Sequence, residues 1–200
     1  METIGNSHDY PQLVNEKAAV LIDNQYLLKV KKDLGLDENG FQIGYLKLSN
    51  HMCQSVPANR FRTYVYDALR PHEDLKTDKE REKRRKTEYF FNSLEDQPNF
   101  EIRKGVIKKN EQDIFRQKQV DVWMAVDLVR LSLKKIVDHI ILITGDSDFV
   151  PAITVAKEEG LKVHLWHAER KDTAPQLRRL CDTKGDITRE LLTSYAEYIK

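Results

Sequence analysis

The sequence has little cysteine, and its few glycines are scattered. Only two of 200 residues are cysteine, Cys53 and Cys181, and they lack the Cys-x-x-Cys spacing of a zinc site. We expect two reduced, partly buried thiols rather than a disulfide. The eight glycines form no phosphate-binding loop, and no Ser/His/Asp arrangement surrounds a nucleophile. These absences argue against a cysteine-ligated metal, a P-loop and a serine hydrolase.

Long apolar runs and a net charge of one sign are also missing. No run approaches the roughly 20 apolar residues that cross a bilayer, so we expect no membrane span and no membrane partner. Residues 1–12 are polar and lack the pattern of a signal peptide, which predicts a cytoplasmic protein. The net charge is +1, so any basic surface must be local. The length predicts one domain at residues 18–200 after a flexible segment at residues 1–17.

Apolar runs alternate with amphipathic segments along the chain. The predicted strands lie at residues 18–23, 61–69, 140–144 and 161–166, with an edge strand at 101–107. The predicted helices lie at residues 45–54, 76–94, 120–137, 148–159, 173–181 and 188–200. This alternation predicts an α/β fold, a three-layer α/β/α sandwich whose mostly parallel central sheet has about five strands. The strand at residues 18–23 is expected at the centre of the sheet.

The helix at residues 120–137 carries two aspartates. Asp127 comes six residues after Asp121, which places it about 120° away around the helix, so both cannot point into one site. We therefore predict an auxiliary role for Asp127. The residues predicted to face the core are Val122, Ala125, Val126, Val129 and Leu133.

Four carboxylates are expected at one edge of the sheet. Asp23, Asp146 and Asp148 follow parallel strands, whose carboxyl ends share an edge, and Asp121 can join them from a helix start. Two unit charges about 4 Å apart repel by roughly 4 kcal/mol at an effective dielectric near 20, so the cluster must take up protons or bind a cation. Oxygen ligands favour Mg²⁺ or Mn²⁺. Alternatively, Asp146, Ser147 and Asp148 only cap the helix that follows.

Three segments resemble the NYN domain of the PIN-like nuclease superfamily in sequence, order and spacing. They are AVLID at residues 19–23, KQVDVWMAVD at 118–127 and LITGDSDFVP at 142–151, and the resemblance extends from about residue 18 to residue 182. It implies a PIN-like, Rossmann-like topology and metal-dependent ribonuclease activity. Carried over by motif, the expected catalytic residues and Mg²⁺ or Mn²⁺ ligands are Asp23, Asp121, Asp146 and Asp148. The expected auxiliary residues are Asn24, Asp127, Ser147 and Thr144.

The segment after Asp23 departs from the family pattern. The family usually has an asparagine three residues after this aspartate, where this chain has Tyr26. Asn24 is a candidate to supply a similar amide from a neighbouring position. Tyr26 is either a core residue or a platform on which an unpaired base stacks. Gln25 argues against a haloacid-dehalogenase-type phosphatase, which needs an aspartate at that position.

A run of basic residues could hold a polyanion near the acidic cluster. Lys83, Arg84, Arg85 and Lys86 are consecutive in a predicted helix, and Lys118 lies shortly before Asp121. These residues and Tyr26 are the predicted nucleic-acid contacts. The alternative is a solvated helix held by Glu80–Arg84 and Glu82–Lys86 pairs, each contributing about 0.2–0.5 kcal/mol.

These observations lead to the hypothesis of a Mg²⁺- or Mn²⁺-dependent endoribonuclease that acts on RNA rather than DNA. Two alternatives stay open. One is a non-catalytic regulatory domain that binds RNA or a protein, which the Asn24-Gln25-Tyr26 segment motivates. The other is a DNA nuclease with the same metal chemistry. A homodimer or a regulatory protein partner is a further possibility, through exposed Phe90 or Phe91.

Overall fold

In the computed structural model, nine strands and seven α-helices are defined within residues 15–37, 40–109, 115–168 and 173–198, the part of the chain that the structure describes. The predicted N-terminal segment, residues 1–17, therefore lies almost entirely outside the described residues. The strands are β1 (Lys17–Asp23), β2 (Phe41–Ile43), β3 (Asn59–Leu69), β4 (Phe100–Lys109), β5 (Phe115–Lys118), β6 (His139–Ile143), β7 (Lys162–His167), β8 (Thr183–Asp186) and β9 (Ala196–Tyr198). The helices are α1 (Asn24–Asp33), α2 (Tyr45–Gln54), α3 (Asp78–Glu95), α4 (Val120–Leu133), α5 (Val150–Glu158), α6 (Pro175–Leu180) and α7 (Arg189–Ser194).

Seven of these strands form the central sheet, in the order β5-β4-β3-β1-β6-β7-β8. Strand β1 lies in the middle, as predicted, and pairs in parallel with β3 and β6. Strands β4, β7 and β8 continue the parallel arrangement, and only β5 is antiparallel to its neighbour. The prediction of a mostly parallel sheet is confirmed, but about five strands was too few. The predicted edge strand β4 is covered by β5.

Two apolar cores lie on the opposite faces of the sheet, because successive side chains of β1 point in opposite directions. Val20 and Ile22 join the core under α1, α2 and α3. Ala19 and Leu21 join the core under α4, α5 and α6. The predicted three-layer α/β/α sandwich is thereby confirmed.

Residues 188–200 were predicted as one helix, but the described part of this segment divides into α7 and β9. Strand β9 pairs antiparallel with β2 in a separate two-stranded sheet. The backbone N–H of Gly44 also donates to the carbonyl of Tyr195, at 2.8 Å. These pairings with a distant part of the chain override the local helical pattern.

The predicted inward face of α4 is wrong. Val122, Val126 and Leu133 are 64%, 47% and 56% exposed, whereas Ala125 and Val129 are partly buried. The buried apolar face instead consists of Val120, Met124, Leu128 and Leu131. Helix α4 is apolar on both sides, so periodicity alone could not decide which side faces the sheet.

Helix α3 begins with a capping box, in which the side chains of Thr77 and Glu80 satisfy each other's backbone N–H groups. Phe91 is fully buried against the sheet. Phe90 is half-buried and packs against the Tyr45 ring, with 5.5 Å between the ring centroids. Phe91 therefore cannot provide the predicted homodimer contact, whereas Phe90 is only partly covered.

The start of α4 lies very close to β4. A Cβ atom at Gly105 would lie 2.6 Å from the carbonyl oxygen of Lys118 and 2.6 Å from Cγ2 of Val120. Gly105 is thus required by the close approach of the chain that leads into α4.

Two buried histidines lie at the amino end of the sheet. Nδ1 of His139 is 2.9 Å from Nε2 of His164, and Nε2 of His139 is 2.5 Å from a carboxylate oxygen of Glu16. Burial, together with the nearby His139, lowers the pKa of His164 to about 4. Among the described residues, no helix combines the length and the apolar character that a membrane crossing requires.

Candidate active site

The four predicted aspartates all lie at the carboxyl edge of the central sheet. Asp23 is the last residue of β1, and Asp146 and Asp148 follow β6, the neighbour of β1. Asp121 is in the first turn of α4. We call these four residues the acidic rim. Ligand sites of open α/β sheets lie at this edge.

Asp23 is held in place by two hydrogen bonds. Its carboxylate accepts the backbone N–H of Tyr26 at 3.1 Å, which caps α1, and the hydroxyl of Thr144 at 3.4 Å. Burial raises the pKa of Asp23 to about 6, and the negative charges of Asp121 and Asp67 act in the same direction. A buried carboxylate with like charges nearby is a feature of functional sites.

Asp121 links Asp23 to the carboxylates that follow β6. Partial burial raises its pKa, and the charges of Asp146 and Asp148 add to this rise. Asp146 caps the short 3₁₀ turn that begins at Ser147, because its carboxylate accepts the backbone N–H of Asp148 at 2.9 Å. Asp146 therefore caps the turn, as the alternative interpretation predicts. It also lies near enough to Asp121 for its charge to raise the pKa of that residue.

Thr144 connects the two sides of the acidic rim. It is fully buried. While its hydroxyl donates to Asp23, its oxygen accepts the backbone N–H of Asp146 at 3.3 Å. Thr144 thus orients the Asp23 carboxylate towards the segment that follows β6.

Asp67 is a member of this site that was not among the predicted residues. It lies on β3 next to Asp23, since Asp23 pairs with Tyr66 in the register of the two strands. Its carboxylate accepts hydrogen bonds from Asn24 at 2.6 Å and Gln25 at 2.9 Å. The available signal was its position near the end of a second strand parallel to β1.

Asn24, predicted as an auxiliary residue, and Tyr26, predicted as a nucleic-acid contact, both make hydrogen bonds within the protein. Asn24 is 1% exposed, donates to Asp67 and accepts the hydroxyl proton of Tyr45 at 2.5 Å. The Tyr26 hydroxyl accepts the backbone N–H of Ala168 at 2.9 Å and lies 3.1 Å from Oγ1 of Thr173. Both side chains are therefore held within the protein, and the predicted stacking of Tyr26 is not supported.

Asp127 lies on the buried side of α4, apart from the acidic rim. Its carboxylate accepts hydrogen bonds from Arg103 at 2.7 Å, Arg130 at 3.0 Å and the Tyr66 hydroxyl at 3.1 Å. It is 2% exposed. The two arginines satisfy its charge, so its role is to hold α4 against β3 and β4 instead of the predicted auxiliary role.

The four consecutive basic residues of α3 have different surroundings. Lys83 and Lys86 line a cavity of about 880 Å³, together with Asn24, Gln25, Lys31 and Phe90. We call this cavity the basic groove. Arg84 instead pairs with Glu88 at 2.7 Å, and exposed Arg85 pairs with Glu82 at 2.7 Å. Glu80 pairs with Arg70, not with Arg84.

Lys118 is exposed at the end of β5, three residues before Asp121. Ser147 is partly buried within the 3₁₀ turn between the two aspartates that follow β6.

The chemistry of the acidic rim fits a hard divalent cation. It offers carboxylate oxygens, two of its aspartates have raised pKa values, and like charges contribute to both rises. In the described parts of the chain, no three acidic, histidine or cysteine side chains are already close enough to form a complete metal-binding group. The carboxylates thus converge without forming a closed set of ligands.

The fold and the acidic rim together define a nuclease-like α/β domain. The NYN domain family matches residues 17–187. The chain therefore belongs to the NYN domain family, which is part of the PIN-like nuclease superfamily.

Curated relatives match only parts of the chain. The uncharacterized protein y4oD of Sinorhizobium fredii is 29% identical over 96 residues, which are 47% of this chain and 43% of that protein. The uncharacterized protein MJ0482 of Methanocaldococcus jannaschii is 50% identical over 50 residues, 25% of this chain and 21% of that protein. The chain thus spans less than half the length of each.

A solved structure matches the fold over most of the chain. The crystal structure of a protein of unknown function, VPA0982 from Vibrio parahaemolyticus, has a TM-score of 0.60 at 16% identity. The match covers 88% of this chain and 94% of that one. At this identity the similarity concerns the fold alone.

Proposed function

We propose that this protein is a Mg²⁺- or Mn²⁺-dependent endoribonuclease that hydrolyses RNA phosphodiester bonds at the acidic rim. The observation that carries the proposal is the convergence of four aspartates from three separate segments, with the pKa of Asp23 raised to about 6. Asp23, Asp121, Asp146 and Asp148 would hold the cation. Membership of the NYN domain family supports the same activity.

A bound cation of this kind supplies an acidified water and neutralises charge on a phosphate. The residues of the chain prepare the site for it. Thr144 orients Asp23, and burial raises the pKa of Asp23 to about 6, so that a proton competes with the cation for this carboxylate below that pH. Cation affinity is therefore expected to increase as the pH rises through about 6.

The basic groove would hold the RNA strand. It begins beside the acidic rim, because Asn24 and Gln25 line it and directly follow Asp23. Lys83 and Lys86 supply positive charge that compensates for the repulsion between the rim and the phosphates. Phe90 adds an aromatic surface of the kind on which unpaired bases stack. Single-stranded RNA is the substrate form that suits this combination.

The first experiment measures cleavage. End-labelled single-stranded RNA should be shortened internally in Mn²⁺ or Mg²⁺, and EDTA should stop the reaction. Asp146→Asn should remove cleavage while remaining folded, since asparagine also caps helices. Asp186→Asn, at an exposed position on β8, is the matched control and should cleave normally. Full activity in folded Asp146→Asn would overturn the assignment, and equal cleavage of matched DNA would remove the preference for RNA.

The second experiment measures binding without cleavage. In EDTA, Lys83→Glu/Lys86→Glu should bind fluorescent RNA about tenfold more weakly than the wild type or worse, because two phosphate contacts become repulsive. The control Lys79→Glu/Arg85→Glu makes the same change in charge on α3 at two exposed positions that do not line the groove. Equal weakening by both variants would show that the groove is not the binding site. Tight RNA binding with no cleavage in any metal would identify a binding module instead.

A further inference from the structure

The exposed apolar side chains of the described residues are concentrated on one surface. Of seven exposed large hydrophobic residues, only Leu28 and Tyr89 lie elsewhere. The other five lie on α4 and α5: Val122, Trp123, Val126, Leu133 and Val155. We call this surface the apolar face. Clusters of exposed apolar side chains on a soluble protein often mark a binding surface.

The apolar face has a regular spacing along α4. Val122, Val126, Val129 and Leu133 follow one another at intervals of four, three and four residues, which places them within a sector of about 60° of the helix. The intervals are the same when they are counted from either end. Between α4 and α5 lies a groove of about 630 Å³, and Val126, Val129 and Val155 are among its lining residues.

The charges along this groove differ between its two ends. Asp148 lies at the end where α4 and α5 begin, and Asp121 starts α4 at the same end. Lys134 lines the other end, just after the last residue of α4. The groove is thus acidic at the amino ends of the helices and basic at the carboxyl end of α4.

We propose that a second copy of this chain covers the apolar face, with α4 antiparallel to α4 of the other copy about a twofold axis. Two features of the surface favour its own copy over an unrelated partner. Because the intervals between the apolar residues of α4 are the same in both directions, the valines near the middle of one helix can pack against the same valines of the antiparallel helix. The twofold axis also places the basic end of each groove against the acidic end of its partner, and antiparallel helix dipoles add to this attraction.

The dimer has a consequence for the acidic rim that rests on the proposed nuclease function. Asp148 belongs to the rim and lines the acidic end of the groove, so the dimer brings Lys134 of the second copy to the border of the site. A cation in that place would favour the approach of a polyanion. The dimer itself does not depend on this consequence.

Sedimentation velocity between about 1 and 100 µM, without RNA or metal, tests the proposal. The expected mass at high concentration is twice the 23.4 kDa of the chain. Val126→Glu places a charge in the middle of the apolar face and should weaken the dimer by at least about tenfold. Tyr89→Glu, a substitution at a 78% exposed position on α3, is the control and should leave the dimer intact.

Two further variants keep the test decisive if Val126→Glu does not fold. Leu133→Lys changes an exposed position of the apolar face at the carboxyl end of α4 and should also weaken the dimer. Lys134→Glu should weaken it most at low salt, since its effect is electrostatic. A monomer throughout the concentration range would overturn the proposal, as would a dimer that both apolar variants leave unchanged. None of these masses depends on cleavage, so failure of the nuclease assignment would not affect the result.

Discussion

Replacement of Asp23 by asparagine is expected to stabilise the metal-free protein. The pKa of Asp23 rises from 3.8 in the unfolded chain to about 6 in the folded protein. A difference of one in pKa corresponds to about 1.36 kcal/mol. The charged carboxylate therefore lowers the free energy of unfolding by up to about 3 kcal/mol at neutral pH. Asparagine removes the charge and keeps an oxygen that can accept the backbone N–H of Tyr26.

We expect Asp23→Asn to raise the free energy of unfolding by about 1–3 kcal/mol at pH 7.5 in EDTA. For a chain of this size that is a rise of about 3–8 °C in melting temperature. Urea unfolding and calorimetry measure the two quantities. Asp186→Asn, outside the acidic rim, should change the free energy of unfolding by less than about 0.5 kcal/mol.

The pH dependence of stability shows why Asp23→Asn should be the more stable protein at neutral pH. A folded-state pKa above the unfolded value means that the stability of the wild type falls as the pH rises from about 4 through 6. The advantage of Asp23→Asn should therefore be much smaller at pH 4 and disappear near pH 3, where the wild-type carboxyl is largely protonated in both states. A variant that is less stable than the wild type at pH 7.5, or an advantage that persists unchanged at pH 4, would refute the reasoning.

A divalent cation should reverse the order of the two proteins. At a cation concentration one hundred times the dissociation constant, binding to the folded wild type adds about 2.7 kcal/mol. Asp23→Asn lacks a proposed ligand and should gain much less. The residue that limits stability without metal would then be the one that metal makes stabilising.

Three other substitutions test the structural assignments. Asp127→Ala should cost about 3–5 kcal/mol in urea unfolding, because Arg103 and Arg130 lose a buried partner, and a loss under 1 kcal/mol would contradict this. Gly105→Ala should lower the free energy of unfolding by about 1–3 kcal/mol, since a Cβ has no room there, and unchanged thermal unfolding would argue against the close approach. The depressed pKa of His164, about 4, means that the wild type loses about 1–3 kcal/mol as the pH falls from 6.5 towards 4. His164→Asn should flatten this part of the stability profile, and an equal acid loss in the variant would assign it to other groups.

The central strands and the acidic rim could be predicted from the sequence because both depend on local patterns. The apolar runs that become β1 and β6 are each followed by aspartate, and parallel pairing brings such strand ends together. Strand β8 could not be found in this way. Its sequence, Thr-Lys-Gly-Asp, has no strand pattern, and it forms where Gly185 lets the backbone approach the ring of Trp166, which a Cβ would meet at 2.7 Å.

The roles of individual polar residues depended on contacts that no local pattern shows. Asn24 could be recognised as a polar residue near the site, but its binding to Asp67 and Tyr45 required the position of β3 and α2. Asp127 could be placed about 120° around α4 from Asp121. Its ion pair with Arg130 lies within the same helix, but its pair with Arg103 follows only from the packing of α4 on β4.

The small sheet formed by β2 and β9 supports one side of the basic groove. Phe41, Gln42 and Ile43 line the groove, and they are held there by pairing with residues 196–198. The family match ends at residue 187. The chain beyond that boundary thus shapes one side of the space where a substrate would lie. Changes in residues 196–198 are therefore expected to reshape this side of the groove while the carboxylates stay in place.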